Sequence, residues 1–423
     1  MERRAHRCGV EPEAQPGARR PRLLRRSPRL DRPCDSRVRL ACGPQRHIIK
    51  RACQQRSLSA ASRLIALVAI PEQTHVISVD SVQPDFAAIH VAAELLRAGQ
   101  LVAFPTETVY GLGANAHDSA AVGCIFSAKS RPANDPIIVH IAALGQIDAV
   151  AREIPDLAYQ LAQHFWPGPL TLVLARHPNI PPNVSAGLPT VAVRMPVHPV
   201  ARALIQAADC PIAAPSANTF SRPSATTAQH VLQDLGGRVA VILDAGPTPI
   251  GLESTVLDLT GEPVVLRPGG VDLEQLRVFI PNLQIKPRYI ATDADPANAP
   301  GQLTRHYAPS AQVLLFSGPV GPVRAQMQQT AHDRIASGQR VGVLVIDEER
   351  ELFVALPGVQ VVTLGPGDDL AQVGARLFAA LRALDRQGVD VIVVRALARA
   401  GLGAAIWDRL LRAADGKFIA VEG

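Results

Sequence analysis

Residues 101–116 read LVAFPTETVYGLGANA, and this stretch limits the possible folds more than any other in the chain. Leu101–Phe104 form an apolar run of strand type. Pro105 ends it, Thr106, Glu107 and Thr108 follow, and Gly111 and Gly113 predict a turn. A buried strand that empties into hydroxyls and glycines sets small polar donors at its carboxyl end, which is where ligands sit in open α/β sheets. Three further stretches have this character: AKSRPANDPIIVHI (128–141), TVAVRMP (190–196) and PIAAPSAN (211–218). Each couples an apolar β-type run to a few polar side chains, and together they predict the walls of one pocket.

The surrounding pattern supplies a frame for that pocket. Strands are expected at 75–80, 101–104, 137–141, 170–175, 191–195, 211–214, 239–244, 255–259 and 264–266, with helices at 86–97, 120–127, 157–165, 199–208 and 227–235. Strands that follow one another without a helix, as at 255–266, imply a mixed rather than a purely parallel sheet. Residues 281–309 are proline-rich and without period, as a linker is. Beyond them strands at 311–316, 341–346, 360–363 and 390–394 alternate with helices at 322–336, 369–386 and 404–414, a second and smaller α/β domain over 310–423.

Charge divides the chain differently. Residues 1–63 hold 17 Lys and Arg against 5 Asp and Glu, which leaves 26 basic and 32 acidic residues, a net of −6, in the remainder. A mildly acidic body argues against broad nucleic-acid coating. Residues 1–70 are Arg- and Pro-rich with no sustained period, and lack both the apolar core of a secretory signal and the acid-poor composition of a transit peptide. They read as a disordered tail or as translation from too early a start, and no function is assigned to them. Cys8, Cys34, Cys42 and Cys53 lie there, which leaves Cys124 and Cys210 in the body. With no CxxC pair, neither a zinc site nor a disulfide framework is expected. No apolar run approaches the ~20 residues that span a membrane, so the expectation is a cytoplasmic protein.

Several chemistries are excluded by motif. There is no GxxxxGK[ST], and Gly111-Leu112-Gly113 lacks the third glycine of a dinucleotide fingerprint. Ser216, within APSAN, is not on a nucleophile elbow, and no His and carboxylate spacing suggests a metal held by the protein. What remains is a set of cations beside hydroxyls and amides. Lys129 and Arg131 precede Pro132, Arg194 interrupts an apolar strand, and Arg267 ends another before Pro268-Gly269-Gly270. Each alone reads as a partner of a surface carboxylate, and His140 within IIVHI reads as a core histidine. Four cations at element ends point to an anionic ligand, because a guanidinium fork suits carboxylate or phosphate.

FPTETVYGLGANA, AKSRPANDPIIVHI, TVAVRMP, APSAN, ESTV and LRPGG stand in the order and approximate spacing of the threonylcarbamoyl-AMP synthase family, which the chain resembles after about residue 75. APGQLTRHYAP (299–309) and GLGAAIWDRLLRAA (401–414) resemble the longer, two-domain form. The resemblance implies an α/β fold: a YrdC-like mixed twisted sheet over 75–280 with helices around a concave pocket, joined by a linker at 281–309 to a small Rossmann-like domain. It implies synthesis of L-threonylcarbamoyladenylate from L-threonine, bicarbonate or CO2, and ATP, with release of pyrophosphate. The product would pass to the machinery that transfers threonylcarbamoyl to tRNA, so that contact with tRNA is indirect.

Carried over by motif, Thr108, His140, Arg194, Ala214 and Ser254 would hold threonine. Arg131, Asp135, Thr190, Ser216, Ser224, Arg267 and Tyr307 would line the ATP site, and Lys129, Arg131 and Asn218 would be the catalytic signature residues. Arg194 would grip the threonine carboxylate through both prongs of its fork, and Tyr307 would close over the nucleotide. Magnesium would arrive on the triphosphate. One position departs from the family. Asp135 stands where asparagine is usual, and a carboxylate there repels triphosphate unless Arg131 or magnesium pairs with it, with Asn134 as the alternative contact. Two other readings stay open on sequence. An RNA-binding factor with a basic groove sits poorly with the acidic body and 4 tyrosines, and a carbamoyl-transfer accessory domain would carry zinc-finger cysteine pairs.

Overall fold

The computed structural model describes residues 73–286 and 306–423, so the readings of residues 1–70 and of most of the 281–309 connection lie outside the described residues. The chain enters through strand β1 (His75–Ser78) and helix α1 (Phe86–Arg97), whose N-cap Asp85 accepts the Ala87 N–H. Strand β2 (Val102–Phe104) and strand β3 (Gly111–Asn115) then pair antiparallel. The glycines expected to turn the chain are therefore inside a strand. The reason is steric: a Cβ on Gly113 would lie 2.8 Å from the Phe104 ring and 2.9 Å from Ile212. Glycine here serves close packing between three strands, and the turn falls earlier, over Pro105–Tyr110.

The rest of this half comprises helices α2 (Ser119–Lys129), α3 (Asp156–Phe165), α4 (Pro199–Ala208), α5 (Ala228–Leu235) and α6 (Leu273–Arg277), and strands β4 (Ile138–His140), β5 (Ala151–Arg152), β6 (Leu170–Arg176), β7 (Thr190–Arg194), β8 (Ile212–Ala213), β9 (Val241–Asp244), β10 (Thr255–Asp258), β11 (Val264–Arg267) and β12 (Gln284–Ile285). The strands form one 12-stranded sheet in the order β1-β9-β2-β3-β8-β4-β7-β6-β10-β11-β12, with β5 on β6. It is mixed, as expected: β4 and β7 run parallel, while β10 and β11 form the antiparallel hairpin. Period-2 alternation sorts its side chains to two cores. Val102, Phe104, Ile212, Val241 and Leu243 join α1 and α4 on one face, and Ala103, Ala213 and Ile242 join α2, α3 and α5 on the other. Pairing of β12 with β11 carries the sheet past residue 281 to Ile285.

The second half holds strands β13 (Gln312–Ser317), β14 (Val341–Val345), β15 (Val359–Thr363), β16 (Val391–Arg395) and β17 (Ile419–Ala420), and helices α7 (Val320–Ala336), α8 (Arg350–Val354), α9 (Leu370–Arg386) and α10 (Gly403–Ala413). All of its strand pairs are parallel, in the order β15-β14-β16-β13-β17. Val323, Met327 and Phe353 from α7 and α8 cover one face, and Leu377, Phe378, Ile406 and Leu410 from α9 and α10 cover the other.

That second face does not close on itself. Its core continues into Val109, Leu252 and Tyr307, so the smaller domain shares apolar packing with the larger one. Gly251, at φ +69°, lets α9 approach: a Cβ there would sit 2.5 Å from the Ala375 Cα. No helix among the described residues is long and apolar enough to cross a membrane.

Candidate active site

Parallel pairing of β4 with β7 sets His140 directly opposite Arg194 at the carboxyl ends of both strands. β8 runs antiparallel to β4, with Ile212 opposite His140, so the chain leaving it passes the start of β4, where the Ala214 N–H bonds the Ile138 carbonyl at 2.9 Å. Ser216 then bridges to Gly111, and Leu112 N–H bonds the Pro215 carbonyl. Backbone pairing thus brings four of the sequence stretches to one place. The cavity between them is lined, among the described residues, by nine of the expected site residues: Thr108, Arg131, His140, Arg194, Ala214, Ser216, Ser254, Arg267 and Tyr307.

The cations around this cavity are already committed. Arg194 donates Nη2 to Glu107 Oε1 at 2.5 Å, Nη1 to Thr108 Oγ1 at 2.8 Å and Nε to the Gly168 carbonyl at 3.2 Å, while Glu107 Oε2 takes the Val197 N–H. Three of its five N–H groups are therefore engaged, and its charge is balanced. Two N–H groups of the fork remain for a ligand carboxylate. Arg131 pairs with Asp135 at 3.0 Å and donates to the carbonyls of Asp135 and Pro136. This pairing resolves the aspartate at the asparagine position: its carboxylate is neutralised behind the wall, and Asp135 does not line the cavity. Arg267 folds back on Ser254, whose hydroxyl also meets Thr171 Oγ1 at 2.7 Å. Burial first, and the Arg194 charge second, push the His140 imidazole down to about 3, so it is neutral around pH 7.

Four further expected residues stand outside the lining, three of them as supports. Lys129 is the last residue of α2 rather than part of the following turn, and it is buried. Its Nζ donates to the carbonyls of Ser216 and Asn218, both at 2.5 Å. Burial, then the charge of Arg131, push this ammonium well below the ordinary lysine range. Asn218 donates to the Thr219 and Arg222 carbonyls, and Ser224 Oγ donates to Glu253 Oε1. Lys129 and Asn218 thus hold the 214–222 loop through its carbonyls. Thr190 is elsewhere: it begins β7, four residues from Arg194 and about 13 Å along the strand.

The near wall comes from the end of the connection. Tyr307 is wholly buried at φ +61°, a backbone state costing an L-residue about 1 kcal/mol or more. Its ring packs on Phe378 at 5.2 Å and meets His306 edge-on at 4.0 Å. Burial first, and then the Glu253 carboxylate, raise the Tyr307 phenol. The His306 and Tyr307 rings both line the cavity.

Residues 94–269 match the Sua5, YciO and YrdC family model, described as telomere recombination, and residues 271–415 match that of the threonylcarbamoyl-AMP synthase C-terminal domain. Threonylcarbamoyl-AMP synthase of Pyrococcus abyssi is 46% identical over 79% of this chain and 96% of its own length. That of Bacillus subtilis is 44% identical over 80% of this chain and 96% of its own. A crystal structure of P. abyssi Sua5 complexed with L-threonine has a TM-score of 0.77 at 45% identity, covering 82% of this chain and 99% of that one.

The chain belongs to the threonylcarbamoyl-AMP synthase family.

Membership draws attention to residues that the sequence reading left without a role. Glu107 stands inside the PTET stretch, and its signal was a lone carboxylate in an apolar run, which needs a buried partner. Glu253 and His306 also line the cavity, and Arg409 of α10 reaches Glu253 from the second domain at 2.8 Å. The carboxylates around the cavity do not form a metal cage: Glu107, Asp135 and Glu253 each pair with an arginine. Among the described residues no group of His, Cys, Asp and Glu is arranged to hold a metal ion.

Proposed function

We propose that this cavity is where L-threonine, CO2 from bicarbonate, and ATP combine into L-threonylcarbamoyladenylate and pyrophosphate. The observation that carries the proposal is the His140–Arg194 pair at the two strand ends, beside Thr108 and within one cavity of Arg131 and Arg267. The threonine nitrogen attacks the carbon of CO2 and loses a proton, giving an N-carboxylate. A carboxylate oxygen then attacks the α-phosphorus of ATP, and the bond to the β-phosphate oxygen breaks to release pyrophosphate.

The protein's part is positioning and electrostatics. Arg194 meets the threonine carboxylate with its remaining N–H groups, while Glu107 and Thr108 fix the plane of its fork. Neutral His140 and the Ser254 hydroxyl face the threonine hydroxyl, a polar contact that rejects valine as an isostere. Arg131 and Arg267 meet the phosphates, with Ser216 beside them and Lys129 holding that loop from behind. His306 and Tyr307 line the same cavity, and Tyr307 closes over the nucleotide. A magnesium ion would be held by the phosphates and water, consistent with a site in which every nearby carboxylate has an arginine partner. The labile product passes to a tRNA threonylcarbamoyl transferase, and a cytoplasmic setting fits both ATP and tRNA.

Calorimetric titration of separate ligands tests these roles. Arg194→Ala is expected to weaken threonine binding by about tenfold or more and ATP binding by far less. Thr108→Val, which keeps shape and removes one hydroxyl, should do the same more mildly. Equal loss of both ligands would contradict the assignment of this wall to threonine.

A further inference from the structure

Arg409 is one point at which the second domain touches the cavity wall. It lies on α10 and is wholly buried. Its Nε donates to Glu253 Oε2 at 2.8 Å, and its Nη1 to the Pro268 carbonyl at 2.9 Å and to Asp408 Oδ2 at 2.7 Å. The guanidinium carbon lies 5.2 Å from the centroid of the Tyr307 ring, within cation–π range. The other oxygen of Glu253 takes the Ser224 hydroxyl. One side chain therefore ties together the segment before Ser254, the turn after Arg267 and the aromatic ring of the connection.

We infer that Arg409 is a positioning residue for the nucleotide half of the reaction: it neutralises Glu253 at the cavity wall and seats Tyr307, so that the smaller domain completes the active site of its own chain. The inference rests on reading the cavity as the synthase site. Glu253 is a buried carboxylate facing the space where a triphosphate must come, and without a cation beside it the two anions repel at low dielectric. Threonine sits further along the wall, against Arg194, whose charge Glu107 already balances. Loss of Arg409 should thus fall on ATP and spare threonine, whereas a merely structural loss would affect both.

The test is steady-state pyrophosphate release by the full chain with each substrate varied in turn. Arg409→Met is expected to raise the KM for ATP about tenfold or more while the KM for threonine moves less than about twofold. Arg409→Lys, which keeps the charge and loses the fork, should recover part of the difference. Arg409→Met combined with Glu253→Gln removes both charges, folds without a buried unpaired ion, and should bring the ATP KM back to within about threefold. An ATP KM that stays raised in the double variant, or that rises in step with the threonine KM in the single one, would overturn the inference. No release from the unsubstituted protein would overturn the synthase reading beneath it; release with an unaltered ATP KM in Arg409→Met overturns the role of Arg409 alone.

Discussion

At the scale of single residues the site is a set of charges that arrive already paired. Glu107 and Arg194 are both almost fully buried, and removing one partner of such a pair costs about 3–5 kcal/mol, mostly because the other charge is left without compensation. Glu107→Ala should therefore lower the unfolding free energy measured by urea titration by an amount of that order, and weaken threonine binding with it. A variant as stable as the parent would contradict the pairing. His140 gives a pH dependence of definite sign. Its folded value, about 3, lies below the ~6.5 of an unfolded histidine. Above pH ~6.5 both states are neutral and His140 contributes no slope. Below it only the unfolded chain takes the proton, so stability falls by about 1.4 kcal/mol per pH unit for each such group down to the folded value. His230, pushed to about 4 by burial and then by Arg382, adds to the same window. Unfolding midpoints measured between about pH 7 and 5 should decline, and His140→Asn should make the decline shallower. An unchanged slope would mean that His140 takes its proton in the folded state.

At the scale of elements the sheet was legible where period and composition agree and illegible where a residue served packing instead of conformation. The apolar runs at 137–141 and 191–195 announced β4 and β7, and their polar ends placed His140 and Arg194 on the site. Gly111 and Gly113 read as a turn because glycine punctuates sequence, yet Gly113 sits in β3 to make way for Phe104 and Ile212. Nothing in one sequence distinguishes a glycine needed for space from one needed for φ. Gly113→Ala should accordingly cost about 1–3 kcal/mol through overpacking. Gly123→Ala, on α2 with nothing within 4 Å of the new Cβ, should be neutral or stabilise by up to about 1 kcal/mol. Urea unfolding of the two variants separates the explanations, since similar effects on both would remove the steric account of β3. Short strands such as β5, β12 and β17 were missed for another reason: two residues carry no period.

At the scale of the whole molecule the two α/β sheets behave as one body. Leu252, Val109 and Tyr307 belong to the core beneath α9 and α10. Arg382 of α9 donates to both carboxylate oxygens of Asp234 and to the Pro223 carbonyl, and Arg222 pairs with Asp385 at 2.7 Å. The sequence predicts two domains and a linker but not this joint, because the cations on α9 and α10 have the same spacing as those of a solvated helix face. Their burial depends on what lies across the interface. Calorimetry should show one cooperative transition, and Arg382→Ala, which strips Asp234 of its main partner, should lower or split it. Two well-separated transitions in the unsubstituted protein would contradict a shared core. The central claim is the reaction, and the most direct measurement is pyrophosphate release by the full chain with ATP and magnesium while threonine and bicarbonate are omitted in turn. Release that requires both is the predicted result. Release with threonine alone would mean plain aminoacyl adenylation, and no release despite ATP binding would contradict the synthase altogether.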